Sequence, residues 1–148
     1  GVGCWTEEIS GLGGDAVKVA ALAVVNAFGD IRDAEAGTLI AGAREAADTM
    51  ELVDTAAAMR RGIIRPSFGG TNTVLVVVAT NAGLAHAEAL RLAIMASAGM
   101  ARVVFPAHTT FDGDIVFALS AGDAKADLNA LGAAAADSRD GQRGNVVR

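Results

Sequence analysis

Apolar residues occur in several short runs along the chain, and their spacing predicts its main strands. Residues 17–28 are rich in Val and Ala, and a run this apolar predicts a strand that is buried on both faces. Residues 74–80 are β-branched and carry no charge, which predicts a central strand. Residues 115–120 predict a further strand of the same kind.

Helical spacing of apolar residues appears in three other segments. Asp48 or Thr49 is the expected N-cap of a first helix, which carries acidic residues early, basic residues late and a stop at Gly62. Residues 84–100 predict a second helix with one apolar side. Asp123 is the expected N-cap of a final helix.

Glycine, proline and polar residues mark the connections between these elements. Glycine-rich turns are expected at residues 11–14 and at Gly37, the second just before a short strand at residues 39–43. Residues 63–70 are expected to form a connection, and residues 106–114 a polar loop. The resulting order of strands and helices predicts an α/β fold with both kinds of layer around one core.

Composition limits the class of protein. The chain has 148 residues, 52% of them hydrophobic, with a mean hydropathy of +0.40. This length and composition predict one ordered domain over residues 1–148. Aromatic residues make up only 4%, so the core must pack through small side chains close to the backbone.

Charge and cysteine content narrow the partners and the compartment. The net charge is −5 without a basic block, so neither nucleic acid nor an anionic membrane is an expected partner. No apolar run is long enough to span a bilayer, and we expect no secretory signal. The lone Cys4 fits a reducing compartment, so we expect a cytoplasmic protein. Nothing near Cys4 supplies a base, which argues against a cysteine nucleophile.

The segment from Gly69 to Thr73 leads directly into the strand predicted at residues 74–80. If the Asn72–Thr73 bond breaks, Thr73 gains a free α-amino group beside its own hydroxyl. That amine has an ordinary pKa of about 7.7–8 and can accept the hydroxyl proton, so one residue provides both nucleophile and base. Most threonines that begin a strand after glycines are structural, so this motif alone does not decide between the two interpretations.

Two carboxylates, Asp112 and Asp114, precede the strand at residues 115–120. At this spacing they can point into one pocket and there orient a hydroxyl, hold an ammonium group or relay a proton. The structural alternative is a solvated turn, and nearby His108 is compatible with either. No third and fourth ligand lies at a suitable spacing, so we predict neither a metal nor another cofactor.

Asn26 is the one strongly polar residue near the end of the apolar run at residues 17–28. Its side-chain amide can donate to a developing oxyanion. The alternative is a buried Asn whose hydrogen bonds go to the backbone.

Five separated blocks of the chain together resemble one family, the self-cleaving N-terminal-nucleophile hydrolases of peptidase family S58. This family includes the L-aminopeptidase/D-esterase enzymes and the nylon-oligomer hydrolases. The blocks are residues 24–30 with 40–44, 71–82, 91–96 with 99–102, 106–109 with 111–119, and 128–137. The Asn–Thr cleavage site and the pair of Asp residues are most similar to the nylon-oligomer hydrolase branch.

The resemblance implies a fold, an activity and a set of site residues. The fold would be the C-terminal portion of an αββα sandwich, cut into residues 1–72 of a large subunit and residues 73–148 of a small subunit. Thr73 would be the nucleophile, Asn26 the oxyanion donor, and Asp112 and Asp114 the polar partners of Thr73. The substrate would be a small amide or peptide, and the cleaved protomers would form a homo-oligomer, often a tetramer.

Two departures from the family pattern keep another function open. The strands and the active-site Lys that the resemblance implies upstream of Gly1 are absent from this sequence, and residues 138–144 are polar where the family has an apolar helix. A nearby cation would lower the pKa of the Thr73 amine, whereas the two Asp residues would raise it. The alternative is a truncated, inactive relative that acts as an oligomerising or binding module. A weaker alternative is an unrelated small α/β binding domain.

Overall fold

A computed structural model of the protein describes residues 1–63 and 72–137. These residues form two compact units. The first comprises Gly1–Val25, Leu75–Gly99 and the segment from Ile115, and the second comprises Asn26–Val74 and Met100–Asp114. Residues 64–70 of the connection predicted at residues 63–70, the following Thr71 and the tail from residue 138 lie outside the described residues.

The first unit is built on a four-stranded sheet in the order β1-β2-β5-β7. β1 (Val2–Ser10) pairs antiparallel with β2 (Ala16–Asn26), and β5 (Thr73–Ala82) pairs parallel with β7 (Ile115–Ala124). β5 therefore lies inside the sheet, as its charge-free sequence predicts. A parallel neighbour needs a crossover connection, and the helix α2 (His86–Val103) lies in the segment between β5 and β7.

The core of this unit consists of small and branched apolar residues. Those buried in β2 and β5 alternate along each strand, and those buried in the helices come from α2 and α3 (Leu128–Ala136). They are Val17, Val19, Val76, Val78, Ala82, Leu92, Ala96, Leu131 and Ala134. The two helices approach closely, because a Cβ added to Gly99 would lie 2.6 Å from the Cα and the carbonyl oxygen of Ala136.

The opposite face of the four-stranded sheet is apolar and exposed. Leu75 pairs with Ile115 and lies on the same face, and Val24 pairs with Val2. The large apolar side chains on this face are 42–54% exposed, namely Val2, Leu22, Val24, Leu75, Ile115, Phe117 and Leu119. Contiguous exposed apolar surface of this kind marks an interaction face in soluble proteins.

The second unit contains a three-stranded antiparallel sheet in the order β4-β3-β6. Its strands are β3 (Asp30–Arg32), β4 (Leu39–Ala41) and β6 (Val104–Phe105). The predicted turn at Gly37 is confirmed: its φ is 67° and its N–H donates to the carbonyl of Asp33. The unit also contains α1 (Thr55–Arg60).

A buried carboxylate fixes α1 against β3. Asp30 is fully buried, and its two oxygens accept hydrogen bonds of 2.7 Å from the N–H and from the hydroxyl of Thr55. Beside it, Arg32 pairs with Asp54 at 3.1 Å and lies over the ring of Phe105 at 4.8 Å. The two hydrogen bonds from Thr55 satisfy the buried Asp30 carboxylate, which would otherwise be costly.

Two boundary predictions, the N-caps of the first and the last helix, were wrong. The first helix begins after Asp54, which accepts a hydrogen bond from Ala57 N, because Asp48 and Thr49 lie in a turn after which residues 51–53 pair with residues 43–45. The last helix is capped by Asp127 and not by Asp123, which lies in β7. Sequence offers several residues of cap type, and tertiary pairing chooses among them.

The strands were predicted less completely than the helices. No strand was predicted before residue 17, but β1 begins at Val2 and its backbone pairs with β2 at the edge of the sheet. β3 and β6 are too short to leave a pattern. β2 is also not buried on both faces, since Leu22 and Val24 are exposed. Within the described residues, none of the helices has the length and apolar character needed to cross a membrane.

Candidate active site

The candidate nucleophile lies at the first position of β5. Thr73 is partly buried, and its hydroxyl donates a hydrogen bond of 2.6 Å to the carbonyl oxygen of Asn72. This contact holds the side-chain oxygen beside the Asn72–Thr73 peptide bond, for which the family resemblance predicts cleavage. A hydroxyl at the start of a strand is held by the backbone hydrogen bonds of the strand, so its position is well defined.

Asn72 connects the candidate nucleophile to two other segments. It forms an isolated parallel β-bridge with Asp112, and its carbonyl oxygen also accepts a hydrogen bond of 3.1 Å from the backbone N–H of Gly113. The side-chain amide of Asn72 donates to the carbonyl of Ala27 at 3.0 Å. Hydrogen bonds to the carbonyl oxygen and from the side chain of Asn72 therefore fix the residue that precedes Thr73.

Asp114 binds backbone groups with both of its oxygens. Oδ1 accepts a hydrogen bond of 2.9 Å from the N–H of Val74, and Oδ2 accepts one of 3.0 Å from the N–H of His108. His108 has a φ of 54°, the left-handed region that non-glycine residues rarely adopt. Asp114 therefore joins the loop to the start of β5, and the backbone of His108 has a structural role in this connection.

Asp112 has a different environment. Its Oδ2 accepts a hydrogen bond of 3.0 Å from the hydroxyl of Thr109. Its Oδ1 is buried and has no hydrogen-bond partner among the described residues. Burial raises the pKa of Asp112 above its ordinary value, and the charge of Asp114 raises it further, while the hydrogen bond from Thr109 opposes them. A carboxyl group with a raised pKa can take up or release a proton nearer to neutral pH.

Asn26 is the last residue of β2, and the structure places it next to Ala27, the acceptor for the Asn72 side chain. It is exposed rather than buried in the sheet. The structure thus connects Asn72, Thr73, Asp112 and Asp114 through hydrogen bonds and a β-bridge, whereas Asn26 is linked to them only through its neighbour Ala27. Cys4 lies exposed on β1, in the other compact unit.

Sequence reasoning missed the supports of the acidic loop. The ring of Phe111 packs against that of Phe28 with centroids 5.4 Å apart. Gly29 lies against the backbone of Phe105 and Pro106 and leaves no room for a side chain. The aromatic residue directly before the first Asp is the signal that could have indicated a packed loop, because a solvated turn does not bury an aromatic ring.

Gly113 was also missed as a participant. Besides its N–H at the Asn72 carbonyl, its lack of a side chain matters, because a Cβ at this position would lie 3.1 Å from Oγ1 of Thr73. That distance is tighter than ordinary van der Waals contact. Glycine between two aspartates is common in turns, so no sequence pattern singled out Gly113.

Comparison with known proteins identifies the family. The model of peptidase family S58 matches residues 1–142. An uncharacterized aminopeptidase of Mycobacterium leprae is 36% identical over 114 residues, which are 76% of this chain and 31% of that protein. One from Mycobacterium tuberculosis is 38% identical over 113 residues, which are 72% of this chain and 32% of that protein. The chain belongs to peptidase family S58, and it spans about a third of the length of these relatives.

Solved structures show the same fold. An L-aminopeptidase D-Ala-esterase/amidase from Ochrobactrum anthropi, described as a variant of the Ntn hydrolase fold, matches with a TM-score of 0.60 at 24% identity, over 93% of this chain and 37% of that one. A protein from Pyrococcus horikoshii matches with a TM-score of 0.58 at 22% identity, over 92% of this chain and 36% of that one. The predicted family and the predicted α/β fold of the Ntn-hydrolase type are both confirmed.

Proposed function

We propose that this chain is part of a self-processing amide hydrolase in which Thr73 becomes the N-terminal nucleophile. The observation that carries the proposal is the contact of 2.6 Å between the Thr73 hydroxyl and the carbonyl oxygen of Asn72, at the start of β5. Membership of a peptidase family supports hydrolysis of peptide or related amide bonds. The relatives named as aminopeptidases support action at the N-terminus of short peptides.

Self-processing in this proposal begins at the intact bond. Oγ1 of Thr73 attacks the carbonyl carbon of Asn72, the C–N bond between the two residues breaks, and the hydroxyl proton passes to the departing nitrogen. Water then hydrolyses the ester, which leaves a carboxylate on Asn72 and a free amine on Thr73. One residue then carries nucleophile and base together.

The acidic loop supports this chemistry through two distinct roles. Asp114 fixes the backbone of Val74, so it controls where Thr73 lies. Asp112 has a raised pKa and an oxygen without a partner among the described residues, so it is the candidate to relay the proton or to bind an ammonium group. Asn26 precedes Ala27, the acceptor for the Asn72 side chain, and it is the candidate oxyanion donor during turnover.

In this proposal the substrate is a small amide. N-terminal residues of short peptides, amino-acid amides and esters, or oligomers of ω-amino acids all present the required carbonyl group. The remainder of a family-length protein would complete the pocket and cover the exposed apolar face of the four-stranded sheet. Residues 1–72 and 73–148 would belong to the two subunits after cleavage, and cleaved protomers would assemble as a homo-oligomer.

A second candidate function is a non-catalytic module derived from the family. The exposed apolar face that includes Leu75, Ile115 and Phe117 favours it, because a surface of this kind serves association without any chemistry. Such a module would keep the Asn72–Thr73 bond intact and would show no amide turnover.

Denaturing intact-mass spectrometry of the protein purified from its source cells distinguishes the two candidates. Self-processing predicts two fragments that separate between Asn72 and Thr73, and it predicts that a Thr73→Ala variant remains a single chain. A single unbroken mass for the unaltered protein would reject the hydrolase and favour the binding module. If cleavage is found, turnover is then measured with small peptide amides, again with Thr73→Ala as the inactive control.

A further inference from the structure

The carbonyl oxygen of Asn72 receives hydrogen bonds from two groups that belong to distant parts of the chain. One is the hydroxyl of Thr73 at 2.6 Å, and the other is the backbone N–H of Gly113 at 3.1 Å. The carbonyl carbon bonded to this oxygen is the atom that the proposed self-cleavage attacks. When Oγ1 of Thr73 forms its bond there, the oxygen becomes an oxyanion, and the hydroxyl can no longer donate to it.

We propose that the backbone N–H of Gly113 stabilises this oxyanion and is therefore a catalytic group for self-cleavage. The inference rests on the proposed function, and it concerns the processing step rather than turnover. A donor already aimed at the oxygen gains strength as negative charge develops there, because it needs no reorganisation at the moment of reaction. The bond changes are those of the ester-forming step, and the N–H keeps its proton throughout.

The surroundings of Gly113 hold this donor in place. On one side the backbone N–H of Asp112 donates to the carbonyl of Thr109 at 3.3 Å, and on the other Asp114 accepts hydrogen bonds from Val74 and His108. The peptide group that carries the N–H is thus fixed at both ends. A preorganised donor of this kind is worth more than a mobile one.

The absence of a side chain at position 113 serves the same reaction. A Cβ there would lie 3.1 Å from Oγ1 of Thr73 and 3.8 Å from its Cγ2. The nucleophile must move toward the Asn72 carbonyl during attack, and a methyl group at this place would restrict that movement. Glycine thus lets the backbone supply a donor close to the nucleophile without crowding it.

The experiment replaces the Gly113 N–H with an oxygen and leaves the shape of the chain almost unchanged. Cell-free translation with a transfer RNA charged with glycolic acid inserts an ester at position 113 of the full chain. Cleavage between Asn72 and Thr73 is followed by mass spectrometry over time. We expect the ester to slow cleavage by about 10²–10³-fold, the effect typical of losing one oxyanion donor.

The matched control is the same ester at Gly37. The N–H of Gly37 donates to the carbonyl of Asp33 at 2.9 Å in an exposed turn. The ester at Gly37 therefore also removes one backbone hydrogen bond from the second compact unit. We expect this variant to cleave at the rate of the unaltered protein. Equal rates for the two esters would overturn the role of Gly113 while leaving self-cleavage itself established. An unaltered protein that never cleaves would instead reject the proposed function, and the catalytic role of Gly113 with it.

A direct measurement guards against misfolding of the ester at position 113. In the uncleaved Thr73→Ala variant, labelling Gly with ¹⁵N and the Asn carbonyl with ¹³C permits detection of the scalar coupling across the hydrogen bond from Gly113 to Asn72. The proposal predicts a detectable coupling in this folded variant. Its absence would overturn the proposal without any use of the ester.

Discussion

Asp114 fixes the start of β5 by accepting a hydrogen bond of 2.9 Å from the N–H of Val74, the residue that follows the candidate nucleophile. Its second oxygen accepts from the N–H of His108 at 3.0 Å. The side chain therefore needs two acceptor oxygens, and this requirement can be tested with an amide of the same shape.

In Asp114→Asn only one side-chain atom can accept, so one of the two backbone N–H groups loses its partner. Leaving a donor without its partner costs about 1–3 kcal/mol, and we expect a loss of stability in that range together with slower cleavage after Asn72. The loss of stability is measured by urea denaturation of Asp114→Asn in the uncleaved Thr73→Ala background. The rate of cleavage is measured by mass spectrometry of Asp114→Asn alone. If neither stability nor the rate of cleavage changes, the loop is a simple solvated turn and Asp114 does not fix β5.

Asp112 should make the stability of the fold depend on pH. Its pKa is raised in the folded chain by burial and then by the charge of Asp114, so the folded chain binds this proton more tightly than the unfolded chain does. The stabilising contribution is complete below the ordinary pKa of 3.8 and is lost as the pH rises through the raised value.

An Asp112→Asn variant cannot titrate at this position, and its side-chain oxygen can still accept from Thr109. We therefore expect the unaltered chain to lose stability relative to the variant as the pH rises from the ordinary pKa through the raised one. Urea denaturation of both chains across this window, each in the Thr73→Ala background, gives the comparison. A difference in stability that stays constant with pH would contradict the assigned environment of Asp112.

Asn26 is exposed at the end of β2, so its removal should affect catalysis rather than folding. We expect Asn26→Ala to leave the chain folded, which urea denaturation of this variant in the Thr73→Ala background measures. If Asn26 donates to the oxyanion during turnover, kcat for a small peptide amide falls by about 10²–10³-fold. A loss smaller than about tenfold would reject the role of oxyanion donor.

Gly99 offers a test of the helix contact in the first unit. Helix propensity alone predicts that Gly99→Ala stabilises the protein by up to about 1 kcal/mol. The backbone of Ala136 leaves no room for the added methyl group, and overpacking costs about 1–3 kcal/mol, so we expect a net loss of stability in chemical denaturation.

Gly132→Ala is the matched control for this contact. The methyl group added there would meet the thioether end of Met95, a flexible side chain that can move aside. We expect a smaller loss than at Gly99, or none. Equal effects of the two changes would mean that the helices can separate as easily as a side chain can turn.

The success of the sequence-based predictions followed the strength of the local signal. β5 and α2 have long, regular apolar patterns, so their existence and type were predicted correctly. β1 carries polar residues such as Glu7 and Glu8 and owes its strand to pairing with β2, so it was missed. The helix caps at Asp54 and Asp127 were misplaced because other residues of cap type stand close to each in the sequence.

For the site, the sequence by itself determined the chemical groups: a Thr after Asn at the head of an apolar strand, two Asp residues in a loop before the next strand, and an Asn at the end of another. Their roles remain predictions. Only the tertiary structure decided which groups meet, namely that Gly113 donates to the carbonyl of Asn72 and that Asp114 binds Val74. The physical reason is that residue identity determines the chemistry of a side chain, whereas contacts between backbone groups far apart in the chain depend on strand register. These backbone groups are the same in every residue except proline, so the sequence does not distinguish them.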